Sequence, residues 1–184
     1  MKDKIIIGLI GEKGGGKDTI AAYLIEHYGA YMLGVGDLLR QIHQLLELEY
    51  TRESMNTLVK AIREQFGEEI LQTAILKKFA NVPNKICVIS GVRKPAEIEQ
   101  LHAIGGKIWY ITAPIEQRFE RISHRRQNAD DAHQTLELFK QQEQLPAEIY
   151  ITELGQQADV TIHNTGTLEE LLTKVDQEMI GFSS

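Results

Sequence analysis

The feature that most constrains this chain is a single stretch, Gly11-Glu12-Lys13-Gly14-Gly15-Gly16-Lys17-Asp18-Thr19. It follows the apolar run Ile5–Ile10 and precedes a helical pattern from Ile20 to Tyr28. Strand, glycine loop, lysine, helix is the build of a phosphate-binding P-loop, and Gly11, Gly16 and Lys17 fit its G-x-x-x-x-G-K spacing. A triphosphate needs many N–H donors close together with no side chains in the way. Gly14, Gly15 and Gly16 permit positive φ and close backbone approach, so that successive N–H groups form an anion nest. The helix starting near Lys17 adds free N–H groups and the positive end of its dipole. Lys17 supplies a cation that can follow charge onto a transferring phosphoryl group. A flexible turn would account for three glycines alone. It does not account for a Gly-Lys pair at the head of a helix, after a strand of buried type. Gly11 through Thr19 are therefore the expected nucleotide-binding residues.

One position departs from the motif. Where a P-loop carries Ser or Thr as a magnesium ligand, this chain has Asp18. An acid in a first helical turn complements the dipole. Alternatively Asp18 holds magnesium, directly or through water. A bare carboxylate ~4 Å from a phosphate charge costs about 4 kcal/mol at an effective dielectric of about 20. If ATP binds, Asp18 either turns away or shares a cation with the phosphates, and Thr19 can replace the missing hydroxyl.

Around this loop, apolar runs alternate with helical patterns. Strands are expected at Ile5–Ile10, Tyr31–Val35, Ile86–Ile89, Lys107–Thr112 and Asp159–His163. Helices are expected at Asp18–Tyr28, Asp37–Leu48, Arg52–Phe66, Glu68–Ala80, from near Pro95 to Gly105, Pro114–Arg126, Thr135–Gln144 and Leu168–Met179. Thr51 suits an N-cap, and Ile86–Ile89 is a continuous apolar run of the kind buried on both faces. This alternation predicts an α/β fold, a three-layer doubly wound parallel sheet, as one domain over residues 1–184. Ligands in such sheets sit at the carboxyl ends of strands. The P-loop, Ser90–Arg93 and Asn164–Gly166 all fall there.

The chain has 184 residues, 42% hydrophobic and 25% charged, enough for a normal core. No apolar run approaches the ~18 residues of a membrane span. Lys2–Ile10 is too short, and too soon interrupted by charge, to read as a signal peptide. The single cysteine, Cys87, lies in an apolar run, suits a reducing cytoplasm and reads as an inert core thiol. The net charge of −6 argues against non-specific nucleic-acid binding, and the scattered histidines offer no metal-ligand spacing.

Three further segments carry chemistry. Gly36-Asp37-Leu38-Leu39-Arg40 comes after the second strand. Asp37 there is either a helix cap or a group near a metal's water shell, and Arg40 either a solvated charge or the grip on an acceptor phosphate. Ser90-Gly91-Val92-Arg93 comes after the third strand. Where many P-loop enzymes hold magnesium with an Asp, Ser90 can only orient a metal-bound water, while Arg93 offers a bidentate fork for phosphate. Arg118 through Arg126 is the basic spot of an acidic chain. On a helix Arg118, Arg121 and Arg125 share one face, with Ile115, Phe119 and Ile122 toward the core. That face is either solvated or part of a lid reaching over a transferring phosphate.

These segments together resemble the nucleoside monophosphate kinases of the P-loop class. Gly36–Arg40 resembles the acceptor segment G-D-M-L-R of adenylate kinases. Glu120-Arg121-Ile122 with Arg125-Arg126 resembles their lid, D-R-I-x-x-R-R, and Ser90–Arg93 stands where they have D-G-F-P-R. The likeness is closer still to the dephospho-CoA kinase-like and deoxynucleoside monophosphate kinase-like proteins, which share the Gly-Lys-Asp-Thr loop, the S-G-V-R strand end and a closing segment like Ala158–Val160 with Asn164–Leu171. The resemblance implies a P-loop kinase fold with a helical acceptor-binding insertion over about residues 37–80 and a lid over about 118–145. It implies that Arg121 and Arg125 contact ATP and the transferring phosphate, that Arg93 contacts both phosphates, and that Asn164 and Gly166 lie by the adenine. The expected reaction is transfer from ATP, with Mg2+ near Asp18, Thr19 and Ser90, to a small phosphorylated acceptor held by Asp37, Arg40 and Arg93. Lys17, Arg93, Arg121 and Arg125 would act on the transferring group. A dephospho-CoA kinase-like activity and a nucleotide-binding regulatory protein are the alternatives. A GTPase is disfavoured, because Asn84-Lys85 is the only Asn-Lys pair and lies before a strand.

Overall fold

In the computed structural model, residues 3–125 and 135–182 are described. The chain runs β1 (Ile5–Ile10), α1 (Lys17–Tyr28), β2 (Tyr31–Gly34), α2 (Val35–Leu45), α3 (Arg52–Phe66) and α4 (Ile70–Asn81), then β3 (Ile86–Ser90), α5 (Pro95–Ala103) and β4 (Lys107–Thr112). It continues through α6 (Ile115–Arg125), α7 (Leu136–Glu143), α8 (Pro146–Gly155), β5 (Val160–His163) and α9 (Leu168–Ile180). The five strands form one sheet in the order β2-β3-β1-β4-β5, and every pairing is parallel. The expected α/β doubly wound architecture is the one observed.

Strand periodicity explains the three layers. Successive side chains of a strand point to opposite faces. Ile6 and Ile10 of β1, Cys87 and Ile89 of β3, and Ile108 and Tyr110 of β4 face one side, packing with Ile75 and Phe79 of α4, Leu101 of α5 and Leu154 of α8. Ile7 and Leu9, Val88, and Trp109 and Ile111 face the other, against Ile20 and Leu24 of α1 and Leu171 and Val175 of α9. With both faces covered, strands β1, β3 and β4 read as unbroken apolar runs. Cys87 is fully buried, and that burial pushes its thiol pKa up, so it is an inert core group.

Three local features differ from the sequence reading. First, β2 ends at Gly34 and α2 starts at Val35, two residues before Asp37. Asp37 is the third residue of the helix, and its Oδ2 reaches back to accept the Gly34 N–H at 2.9 Å. It caps the helix from inside instead of preceding it. Second, α8 is an additional helix. Pro146 stands at its first turn, where the missing N–H is no loss, and Ile151 and Leu154 are buried. Third, Arg118 is only 6% exposed; it is not part of a solvated basic face. The segment 126–134 in the expected lid, with Arg126, lies outside the described residues, as does the side chain of Arg125.

Candidate active site

The P-loop fills the turn between β1 and α1, and its curvature follows from its glycines. Gly14 and Gly16 take positive φ, 78° and 110°, whereas Gly15 does not. At Gly16 a Cβ would stand 2.4 Å from Asn164 Nδ2, so both conformation and space exclude a side chain there. The loop's carbonyls are held one by one from outside. Arg118 Nη1 donates to Lys13 O at 3.3 Å, Arg121 Nη1 to Gly14 O at 3.5 Å, and Asn164 Nδ2 to Gly15 O at 2.9 Å. Tying carbonyls outward is how a backbone nest turns its amide N–H groups toward an anion; of these, Gly15 N–H is bonded within the loop to Glu12 O at 3.1 Å.

The groups that do the tying are themselves braced. Arg118 Nε donates to Ala113 O at 2.9 Å, its Nη2 pairs with Glu143 Oε2 at 2.5 Å, and its guanidinium lies 5.7 Å from the Phe139 ring centroid. Asn164 is 7% exposed, and its backbone N–H bonds to Thr112 O at 2.8 Å. Arg121 Nη2 donates to Asn164 O at 2.8 Å. Glu12 is 4% exposed; its Oε1 accepts from the Tyr110 hydroxyl and, at 3.3 Å, from Thr112 Oγ1. Burial and the adjacent Glu12 push the Tyr110 phenol up to about 12. Glu12 Oε2 is buried without a hydrogen-bond partner among the described residues. Glu12 thus acts as a peg holding the loop to β4, a role its place in the motif did not suggest.

Lys17 Nζ folds back onto Gly11 O at 2.6 Å and Glu12 O at 3.1 Å. Asp18 is exposed, and Thr19 next to it is half-buried. Both belong to the first turn of α1, at the loop's mouth.

The sheet order sets the segments carrying Asp37, Arg40 and Arg93 on the same edge as the loop. Leu9 of β1 pairs with Ser90 of β3, and Ser90 with Gly34 of β2. The ends of these three neighbouring strands, together with the segment leaving each, therefore share one edge. Gly34 is obligatory there: its Cβ would lie 2.6 Å from Ser90 Oγ and 3.4 Å from Asp37 Oδ2. Ser90 and Asp37 are thus brought together around a bare backbone, and an acid lacking at the end of β3 is supplied beside it from α2. Arg40 Nη1 pairs with Asp37 Oδ1 at 3.1 Å and lies 5.0 Å from the Tyr50 ring centroid, with 51% of its side chain exposed. Arg93 is exposed, and its guanidinium makes no hydrogen bond or ion pair with the described residues. On the far side of the loop, a groove runs beside Thr165, Gly166 and Thr167 and along Glu170 and Lys174 of α9. Gly166 is small because the capping carboxylate of Glu170 occupies the space a Cβ would take.

An AAA-domain family model (AAA_18) matches residues 7–144, from β1 through α7. The chain belongs to this AAA-domain family. Among curated relatives, it is 28% identical over 171 residues to the UPF0200 protein of Aeropyrum pernix, covering 92% of this chain and 89% of that one. Among solved structures, it is similar to the shikimate kinase of Bacteroides thetaiotaomicron, with a TM-score of 0.64, 14% identity, and 98% and 99% of the two chains covered. The shikimate kinase of Aquifex aeolicus superposes with a TM-score of 0.56 at 17% identity, over 97% and 98%. At such identities the likeness carries the fold, a P-loop kinase fold, and the chemistry of this chain rests on its own residues.

Proposed function

We propose that this protein transfers the γ-phosphoryl group of ATP to a small phosphorylated acceptor, a nucleoside or deoxynucleoside monophosphate. The observation that carries the reading is the placement of two exposed arginines, Arg40 and Arg93, after β2 and β3, the two strands on one side of the P-loop strand. A hydrolase or switch needs only the loop. A second pair of phosphate forks on the same edge is the equipment of a second, phosphorylated substrate.

In this reading the nest over Gly11–Gly16 and Lys17 hold the β- and γ-phosphates. Lys17 leaves Gly11 O and Glu12 O to do so. Arg40 and Arg93 fix the acceptor phosphate in line. An acceptor oxygen attacks the γ-phosphorus as the bond to the β–γ bridging oxygen breaks, and ADP departs with that electron pair. Positioning and electrostatics suffice, with no covalent intermediate. Arg121 stands beside Gly14 O and Asn164, where it can reach charge on the triphosphate, and the α9 groove beside Gly166 is open for the adenine. Arg125 is assigned to the lid by resemblance alone.

The oxygen donors of Asp18, Thr19 and Ser90, with Asp37 behind them, fit Mg2+, which favours a few hard oxygens plus phosphate and water. The ion when bound would neutralise charge between the β- and γ-phosphates.

A coupled ADP-release assay with ATP and magnesium, run across ribo- and deoxyribonucleoside monophosphates and dephospho-CoA, tests the proposal. Turnover with a nucleoside monophosphate is expected. Turnover with dephospho-CoA alone would reassign the acceptor. ATP binding without ADP release for every acceptor would replace the kinase with a nucleotide-binding regulatory protein.

A further inference from the structure

Behind Arg93 lies a buried polar chain that phosphate binding alone does not require. Glu97, in the first turn of α5, is 5% exposed. Its Oε2 accepts the backbone N–H of Arg93 at 2.8 Å. Its Oε1 accepts from Nη2 of Arg63, on α3, at 3.3 Å. Its backbone carbonyl accepts from Nε2 of Gln72, on α4 and 2% exposed, at 2.7 Å. Two helices that are remote in sequence, α3 and α4, therefore meet the Arg93 turn on one carboxylate residue.

A carboxylate at the third position of a helix can serve simply to cap it. Capping does not explain Arg63. The Arg63 side chain is 17% exposed, reaches 34 residues along the chain, and keeps a buried Nε without a hydrogen bond among the described residues, 3.9 Å from Glu68 Oε2. A buried ion pair is a poor source of stability, since apolar residues of like volume do as well or better. What such a pair does supply is a fixed geometry between the elements it joins. Here it joins α3 and α4 to the turn that carries Arg93. That turn is already narrow in its freedom: Gly91 N–H bonds to Leu9 O at 3.2 Å, and Val92 is 2% exposed. The Glu97 bond fixes the last amide before the Arg93 side chain departs.

We propose that Arg63 and Glu97 form a positioning clamp that couples the α3–α4 insertion to the acceptor-phosphate arginine. The inference rests on the proposed role of Arg93 in holding that phosphate. Glu97 does not touch substrate. It orients the backbone from which Arg93 projects, and Arg63 makes that orientation depend on where α3 sits. Displacing α3 loosens the Arg93 turn, and anchoring Arg93 on a phosphate steadies α3.

The test uses inorganic phosphate as probe, titrated into the full-length protein saturated with ADP, with the backbone amide of Arg93 followed by NMR. In the unsubstituted protein the Arg93 amide is protected from hydrogen exchange and shifts on phosphate addition. Arg63→Met is expected to speed that exchange and to weaken phosphate about tenfold, because a small misplacement of a positioning group is amplified at the ligand. ADP affinity should stay unchanged, and Arg63→Lys should restore most of the phosphate affinity. Arg63→Met combined with Glu97→Gln should be no worse than Glu97→Gln alone, as expected of residues acting through one chain. Arg93→Ala separates the two ideas. If Arg93→Ala leaves phosphate affinity unchanged, or if phosphate does not bind at all, the acceptor reading fails and the clamp falls with it. If Arg93→Ala weakens phosphate and Arg63→Met alters neither exchange nor affinity, the clamp alone is overturned.

Discussion

Two residues decide how the candidate site would handle charge. Asp18 is exposed at the mouth of the loop, where its carboxylate would meet phosphate charge unless a cation lies between. If it serves the metal, Asp18→Asn keeps the shape and removes the charge, and the magnesium concentration for half-maximal rate should rise about tenfold. An unchanged magnesium dependence, with tighter ATP binding, would show that Asp18 merely repels the nucleotide. Arg40 is held by Asp37 on one side and Tyr50 beneath, so its fork is presented ready for use. A charge-assisted bond of this kind contributes about 1.5–3 kcal/mol. Arg40→Ala should therefore raise the acceptor KM roughly 10–100-fold with ATP KM little altered. An unchanged acceptor KM removes Arg40 from the site. Both residues were legible in the sequence, because each lies within a short pattern tied to a strand end. Glu12, Arg118 and Glu97 were not. Their significance comes from partners such as Tyr110, Glu143 and Arg63, which lie 98, 25 and 34 residues away. A charged residue read alone is most economically placed in water, and only the fold reveals the partner that permits burial.

At the scale of elements, the strands and their helices followed from local periodicity, and α8 did not. Its sequence, Ile149-Tyr150-Ile151-Thr152, is rich in β-branched and aromatic residues, which disfavour helix on intrinsic grounds. Packing of Ile151 and Leu154 against the sheet overrides that preference. The start of α2 was misplaced for a related reason. Asp37 is a good cap by type, but it caps from the third position, and Gly34 before it is reserved for the close approach to Ser90. Away from the site, Asp159, just before β5, ties β4 and α5 together. It accepts from Ile108 N at 2.7 Å, from His102 of α5 at 2.9 Å, and from Lys107 at 3.3 Å. Burial raises its pKa, but these donors together outweigh that and leave it below the ordinary 3.8. A depressed carboxylate contributes stability that is full above the ordinary value and lost as the pH falls through the lowered one. Asp159→Asn should thus destabilise the protein by about 1–2 kcal/mol at neutral pH, with the gap from the parent closing below about pH 4. Denaturant titrations at several pH values would measure it, and a gap that persists in acid would assign the effect to shape instead of charge.

For the whole molecule, the sheet order converts separate sequence patterns into one edge. P-loop, Arg93 turn and α2 come after β1, β3 and β2, which lie side by side in the sheet, while Asn164 and Arg121 close the other flank by holding the loop's carbonyls. The loop is therefore a joint between halves of the molecule, and filling it should be felt globally. A ligand that binds only the folded state at a hundred times its Kd adds about 2.7 kcal/mol of stability. For a chain of this length that corresponds to a rise in Tm of about 5–10 °C. ATP with magnesium should produce that rise, and Lys17→Ala should abolish most of it. In the free protein Lys17 Nζ is already engaged by Gly11 O and Glu12 O. The variant therefore loses an internal bond as well, and its Tm without ligand should fall slightly. The informative quantity is consequently the ligand-induced difference within each protein. A Lys17→Ala variant whose Tm still rises as far with ATP would mean that the nucleotide is held elsewhere, and the arginines on this edge would then have no donor to face.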